Sequence, residues 1–222
     1  MNPERWSQVD RYIKDQIVPH DPIFDAVLTA SQEAGLPSIQ VSSAQGKLLQ
    51  ILAQTQGASR ILEIGTLGGY STLWMAKALP QWGRLITLEI DPSHAATARA
   101  NFKRAGVESV VELIEGPALE TLPRLEIEGF GPFDLIFIDA DKPGNPDYFS
   151  WALRLSCKGS LIIVDNVIRN GDVLDEKGAD AKVQGVRKLF EMISREPRVN
   201  ATAIQTVGEK GYDGFILAWV KS

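Results

Sequence analysis

Five short runs of apolar, largely β-branched residues recur through the middle of the chain: Arg60–Ile64, Leu85–Glu89, Val110–Ile114, Asp134–Ile138 and Leu161–Val164. Each is followed within two residues by Gly, Asp or Asn. The stretches between them carry helical patterning, as in Ser93–Ala105, which closes on Gly106. Strand, helix and turn repeated at this period predict consecutive βαβ units around a parallel sheet. Strands that are apolar almost throughout suit a sheet with helices on both faces.

Before Arg60 the pattern predicts three helices, over 3–17, 21–34 and 43–56, broken at Pro19–Asp21 and at Gly35–Pro37. After the fifth strand it predicts a loop over 169–180, a helix over 181–195, and strands over 201–206 and 214–220. No linker interrupts this order. The expectation is one domain, with residues 1–57 as an N-terminal helical addition and 58–222 as the α/β core.

Composition narrows the partners more than the chemistry. The 222 residues hold 23 Lys+Arg against 28 Asp+Glu, a formal net charge of −5. That balance disfavours a general nucleic-acid or anionic-membrane binder, while leaving a specific RNA substrate open. The single cysteine, Cys157, excludes an internal disulfide and a thiolate metal site. With no apolar run of membrane-spanning length and a charged N-terminus, a cytoplasmic protein is expected.

The first strand runs into Glu63-Ile-Gly65-Thr-Leu-Gly68-Gly69-Tyr-Ser71. Glycines there admit positive φ and let a ligand approach the backbone, and the next helix offers its N-terminus. The spacing is not the dinucleotide fingerprint, because Leu67 occupies its second Gly position. Strand two ends on Glu89, placed to accept hydrogen bonds from both ribose hydroxyls of a nucleoside lying across the first strand.

Strands four and five end on Asp139 and on Asp165-Asn166. If those strands pair in parallel, their ends lie about 5 Å apart. Two carboxylates and an amide oxygen would converge where open α/β sheets bind ligands. An all-oxygen set favours a hard divalent cation, Mg²⁺ first, with Ca²⁺ and Mn²⁺ as alternatives. Lys142 follows Asp139 in the same loop, and a cation beside it would favour its uncharged form, a general base.

Together these segments resemble the cation-dependent, S-adenosylmethionine-dependent O-methyltransferases, the group that includes catechol and caffeoyl-CoA O-methyltransferases. The resemblance covers residue 35 to the end. It rests on Gln40–Gly46, Leu62–Thr66 with Gly69-Tyr-Ser71, Asp139-Ala-Asp-Lys142, Asp165-Asn-Val167 and Asp213-Gly214, in that order. It implies a Rossmann-like class I methyltransferase fold, with a seven-stranded, mostly parallel sheet whose last strand is antiparallel. It further implies that Val41, Glu63, Gly65, Gly69, Ser71, Glu89, Ala118 and Asp139 serve the cofactor. Asp139, Asp165 and Asn166 would hold the metal, and Lys142 would deprotonate the hydroxyl of a small aromatic vicinal diol. A homodimer is implied as well, and the alternative acceptor is a modified nucleoside in tRNA, O-methylated at the same site as in some bacterial relatives.

Two segments depart from the family pattern. Relatives usually follow the Asp-Ala-Asp-Lys block with Asn-Tyr, where this chain has Pro143-Gly-Asn-Pro146. Relatives often carry Trp where this chain has Arg169, which reads first as a solvated loop charge and second as a partner for an anionic acceptor. His94 reads as exposed, and Cys157 as packed structure at a helix end.

Overall fold

A computed structural model describes residues 2–222. Helices α1 (Pro3–Ile17), α2 (Pro22–Glu33) and α3 (Ser43–Thr55) precede the first strand, β1 (Arg60–Ile64). Each start is specified locally. The side chains of Asn2, Asp21 and Ser42 accept backbone N–H groups of the first turn, and Pro3 and Pro22 supply pre-set φ angles. The alternation continues with α4 (Tyr70–Ala76), β2 (Arg84–Glu89), α5 (Pro92–Ala105), β3 (Val111–Glu115), α6 (Ala118–Ile127) and β4 (Phe133–Ile138). Then come α7 (Asn145–Arg154), β5 (Ser156–Asp165), α8 (Ala181–Ser194), β6 (Val199–Gly208) and β7 (Gly211–Val220).

The seven strands form one sheet in the order β3-β2-β1-β4-β5-β7-β6. The first five pair in parallel, and β7 runs antiparallel to both β5 and β6. The expected class I methyltransferase architecture is therefore the observed one. Successive strand residues feed opposite faces. Leu62, Ile64, Ile136 and Ile138 pack with Leu122, Phe149 and Val186 from α6, α7 and α8. Ile61, Leu135 and Phe137 pack with Val27, Leu49, Leu73 and Phe102 from α2 to α5. Both faces are covered, so the strands read as continuous apolar runs rather than alternating ones.

Two expectations fail at β5 and beyond. Cys157 is not at a helix end but on β5, and it is exposed. The strand begins at Ser156, five residues before its apolar run, because Ser156 pairs with Phe133 across a register irregularity. Residues 169–174, expected as loop, form two tight turns joined by a kink at Asn170 and Gly171, where φ is positive.

The order of strands places a topological switch between β1 and β4, where the chain reverses its direction of growth across the sheet. The carboxyl ends of these strands define a crevice, the usual ligand position in such sheets.

Candidate active site

A pocket of about 570 Å³ occupies that crevice. Val41, Gly65, Ser71, Glu89, Ala118, Asp139, Lys142 and Asn166 all line it. Glu63 and Gly69 lie behind its wall, and Asp165 opens instead on an adjoining cavity that shares Asn166 with the first.

The Gly-rich turn is built by its neighbours. Gly65 has φ +99, and a Cβ there would lie 2.2 Å from the Asp139 carbonyl oxygen, so only glycine lets β1 and β4 close at this point. Glu89 Oε2 accepts the backbone N–H groups of Thr66 (3.1 Å) and Leu67 (2.7 Å). Leu67 is held at φ +51, an uncommon conformation for a branched side chain. Glu89 Oε1 accepts the N–H of Asp91 and stands 3.7 Å from His94 Nδ1. His94 is thus not an exposed helix residue. Asp91 caps α5 immediately after β2, and that start turns His94 into the pocket wall.

Behind the turn, Glu63 is fully buried on β1. Its carboxylate accepts hydrogen bonds from Ser71 (2.6 Å), Thr72 and Thr87 (2.7 Å). Burial outweighs these three donors and pushes its carboxyl up from the usual 4.5 to about 7.

At the other side, Asp139 and Asp165 follow Ile138 and Val164, which pair in register. The carboxyls are therefore neighbours across adjacent strands, about 5 Å apart at the backbone. Asp165 is buried, and its carboxyl is raised to about 7 by that burial and then by the charge of Asp139. Lys142, the backbone of Asn166 and the side chain of Gln45 oppose this rise. Gln45 lies in the Gln40–Gly46 block, but the sequence gives it no role, since it reaches Asp165 from α3, far away along the chain. Asn166 holds a left-handed φ of +58 and lines both cavities.

Lys142 is buried rather than solvated, with Nζ 2.8 Å from Asp139 Oδ1. Asp141 closes the same turn, accepting the Gly144 N–H at 3.1 Å and the Tyr148 hydroxyl. Helix α8 presses on this turn through Gly185, where a Cβ would lie 2.2 Å from the Lys142 carbonyl oxygen. Arg169 also lines the pocket, with φ +54, and is only partly exposed. Asp213 fixes it by accepting the N–H groups of Ile168 (2.9 Å) and Arg169 (3.0 Å). Among the described residues no three His, Cys, Asp or Glu side chains form a metal-ligating group. The Asp139, Asp165 and Asn166 set has two carboxylates and an amide, an all-oxygen chemistry that suits a hard cation, which would offset the like charges of the buried Asp165 and the partly buried Asp139.

The chain as a whole is similar to known proteins. The chain matches the O-methyltransferase family over residues 17–219. It belongs to that family. A catechol O-methyltransferase from Niastella koreensis is 54% identical over 221 residues, covering 100% of both chains. The solved O-methyltransferase from Bacillus cereus in complex with SAH superposes with a TM-score of 0.98 at 53% identity, covering 99% of this chain and 100% of that one. TomG from Streptomyces achromogenes, an O-methyltransferase in tomaymycin synthesis solved with SAM, gives 0.96 at 49% identity over 100% of each. This O-methyltransferase is accordingly an S-adenosylmethionine-dependent enzyme of the caffeoyl-CoA O-methyltransferase-like class. None of its described helices is long and apolar enough to cross a membrane.

Proposed function

We propose that the enzyme methylates one hydroxyl of a small aromatic vicinal diol, with a divalent cation, most simply Mg²⁺, held by Asp139, Asp165 and Asn166. The observation that carries this reading is the buried Lys142 amine against Asp139, at the edge of two strand ends that bring a second carboxylate and an amide together. The name of the Niastella relative supports the acceptor class. When bound, S-adenosylmethionine supplies the methyl as a sulfonium electrophile, and the cation supplies Lewis acidity to the diol oxygens.

The protein's own part is positioning and proton transfer. Val41, Gly65, Ser71 and Ala118 shape the cofactor end, with Glu63 and Gly69 supporting the turn from behind. Glu89 receives the ribose hydroxyls beside His94. Lys142 takes the proton of the reacting hydroxyl and passes it to solvent after turnover. The close approach of Gly65 to Asp139 would help hold the reacting oxygen in line with the methyl donor, the positioning from which much of the acceleration in such a transfer originates.

A cytoplasmic setting fits the exposed free thiol of Cys157. Helix α1 leaves Tyr12 and Ile17 exposed and has no buried residue, which favours a homodimer that covers it.

The test is methyl transfer from S-adenosylmethionine to 3,4-dihydroxyphenyl compounds, followed by mass spectrometry. Activity is expected to disappear in EDTA and return with Mg²⁺. Full activity in chelator would overturn the metal assignment, and no product from any diphenol would overturn the acceptor class.

A further inference from the structure

Two cations line the pocket without a part in methyl transfer. Arg169 follows Asn166 by three residues, and Lys182 stands in the first turn of α8. Lys182 lies toward Lys142, because α8 packs on the Lys142 turn through Gly185, and Arg169 lines the same pocket. A pair of cations facing one cavity is not the average surface of a chain with net charge −5.

The backbone places Arg169 against its preference. Arg169, Asn170 and Gly171 have φ of +54, +58 and +93, a left-handed run that non-glycine residues rarely adopt. The Asp213 carboxylate stabilises it through two backbone N–H groups. Strain of this kind persists where surrounding contacts over-determine it, and it concentrates at ligand sites. The guanidinium is incompletely satisfied. Its Nη1 is 3.8 Å from Asp213 Oδ2, beyond hydrogen-bond range, and its buried Nε has no hydrogen-bond partner among the described residues. Lys182 forms no ion pair among the described residues.

The geometry points to a carboxylate on the acceptor: Arg169, assisted by Lys182, selects aromatic vicinal diols that carry an acidic side group. A guanidinium with free donors recognises a carboxylate more strongly than a neutral ester, since both charge and paired hydrogen bonds are gained. This specificity rests on the diol reading of the same pocket.

The experiment compares kcat/KM for 3,4-dihydroxybenzoate and caffeate with their methyl esters, two acids that differ in reach. At least one acid is expected to exceed its ester about tenfold, mainly through KM, as a charge-assisted hydrogen bond would give. In Arg169→Gln, which keeps the same backbone strain, that acid-to-ester ratio should fall to near unity. Arg169→Lys should retain part of it, and Lys182→Gln should lower it less. Added salt should erode the preference in the unmodified enzyme. Thermal unfolding checks that the variants are folded. Esters turned over as well as acids, or a ratio unmoved in Arg169→Gln and Lys182→Gln, would overturn the inference while leaving the diol reading intact. Turnover of neither acid nor ester would overturn the diol reading itself, and this one with it.

Discussion

Lys142 Nζ lies 2.8 Å from Asp139 Oδ1, on a side chain only 7% exposed. A buried amine this close to a carboxylate is held in one place, which is what a proton acceptor for a bound hydroxyl requires. Lys142→Ala is therefore expected to lower kcat by about 10²- to 10⁴-fold, the usual range for loss of a general base. Affinity for S-adenosylhomocysteine, read by calorimetry, should persist. A variant with normal kcat would remove Lys142 from the chemistry.

Asp165 makes the complementary prediction. It is buried beside Asp139, and it opens on the cavity adjoining the main pocket. Asp165→Ala should abolish turnover and remove the response of the enzyme to added Mg²⁺, while S-adenosylhomocysteine still binds. Calorimetric titration with Mg²⁺ and with the product cofactor reads the two separately. Unchanged Mg²⁺ dependence would count against its place in the cation site.

Glu63 ties stability to pH. Its carboxyl is raised from 4.5 to about 7 by burial, so the folded protein favours the protonated form. A group shifted this way stabilises fully below the unfolded value and loses that contribution as pH rises through the folded one. Between pH 4.5 and 7 the loss is on the order of 3 kcal/mol. Urea unfolding of the ligand-free enzyme and of Glu63→Gln, whose side chain does not titrate, should show the unmodified protein falling relative to the variant across that window. A pH-independent difference would refute the shift.

Gly65 is the steric joint of the site. With φ +99 and an added Cβ only 2.2 Å from the Asp139 carbonyl, Gly65→Ala forces both backbone strain and separation of β1 from β4. The expected cost is about 3 kcal/mol, from the strain and overpacking together. Because Asp139 would move, activity should fall further than thermal stability does. Wild-type kcat in a destabilised variant would show that the closure does not position Asp139.

The strands and their order were legible because both faces of the sheet are covered, leaving apolar runs at a regular interval. Site residues at strand ends were legible for the same reason, since a βα unit fixes where its last polar residue points. Residues approaching from elsewhere were not. His94 depends on the cap formed by Asp91, Gln45 on the packing of α3, and Arg169 on a left-handed turn held by Asp213, 44 residues further along. The first five residues of β5, Cys157 among them, were hidden because Lys158 and Gly159 interrupt the apolar pattern before the strand reaches its buried half.

Gly185 illustrates how far the footprint of activity extends beyond the pocket wall. In an ordinary helix interior, Gly→Ala strengthens the helix by about 1 kcal/mol. Here the new methyl group would meet the Lys142 carbonyl at 2.2 Å and Pro143 Cα at 2.7 Å, both main-chain atoms with no rotamer to yield. The familiar stabilising exchange becomes a lever that pushes the Lys142 turn off α8. A helix-stabilising Gly185→Ala exchange would thus displace the Lys142 turn from a position that does not itself line the pocket.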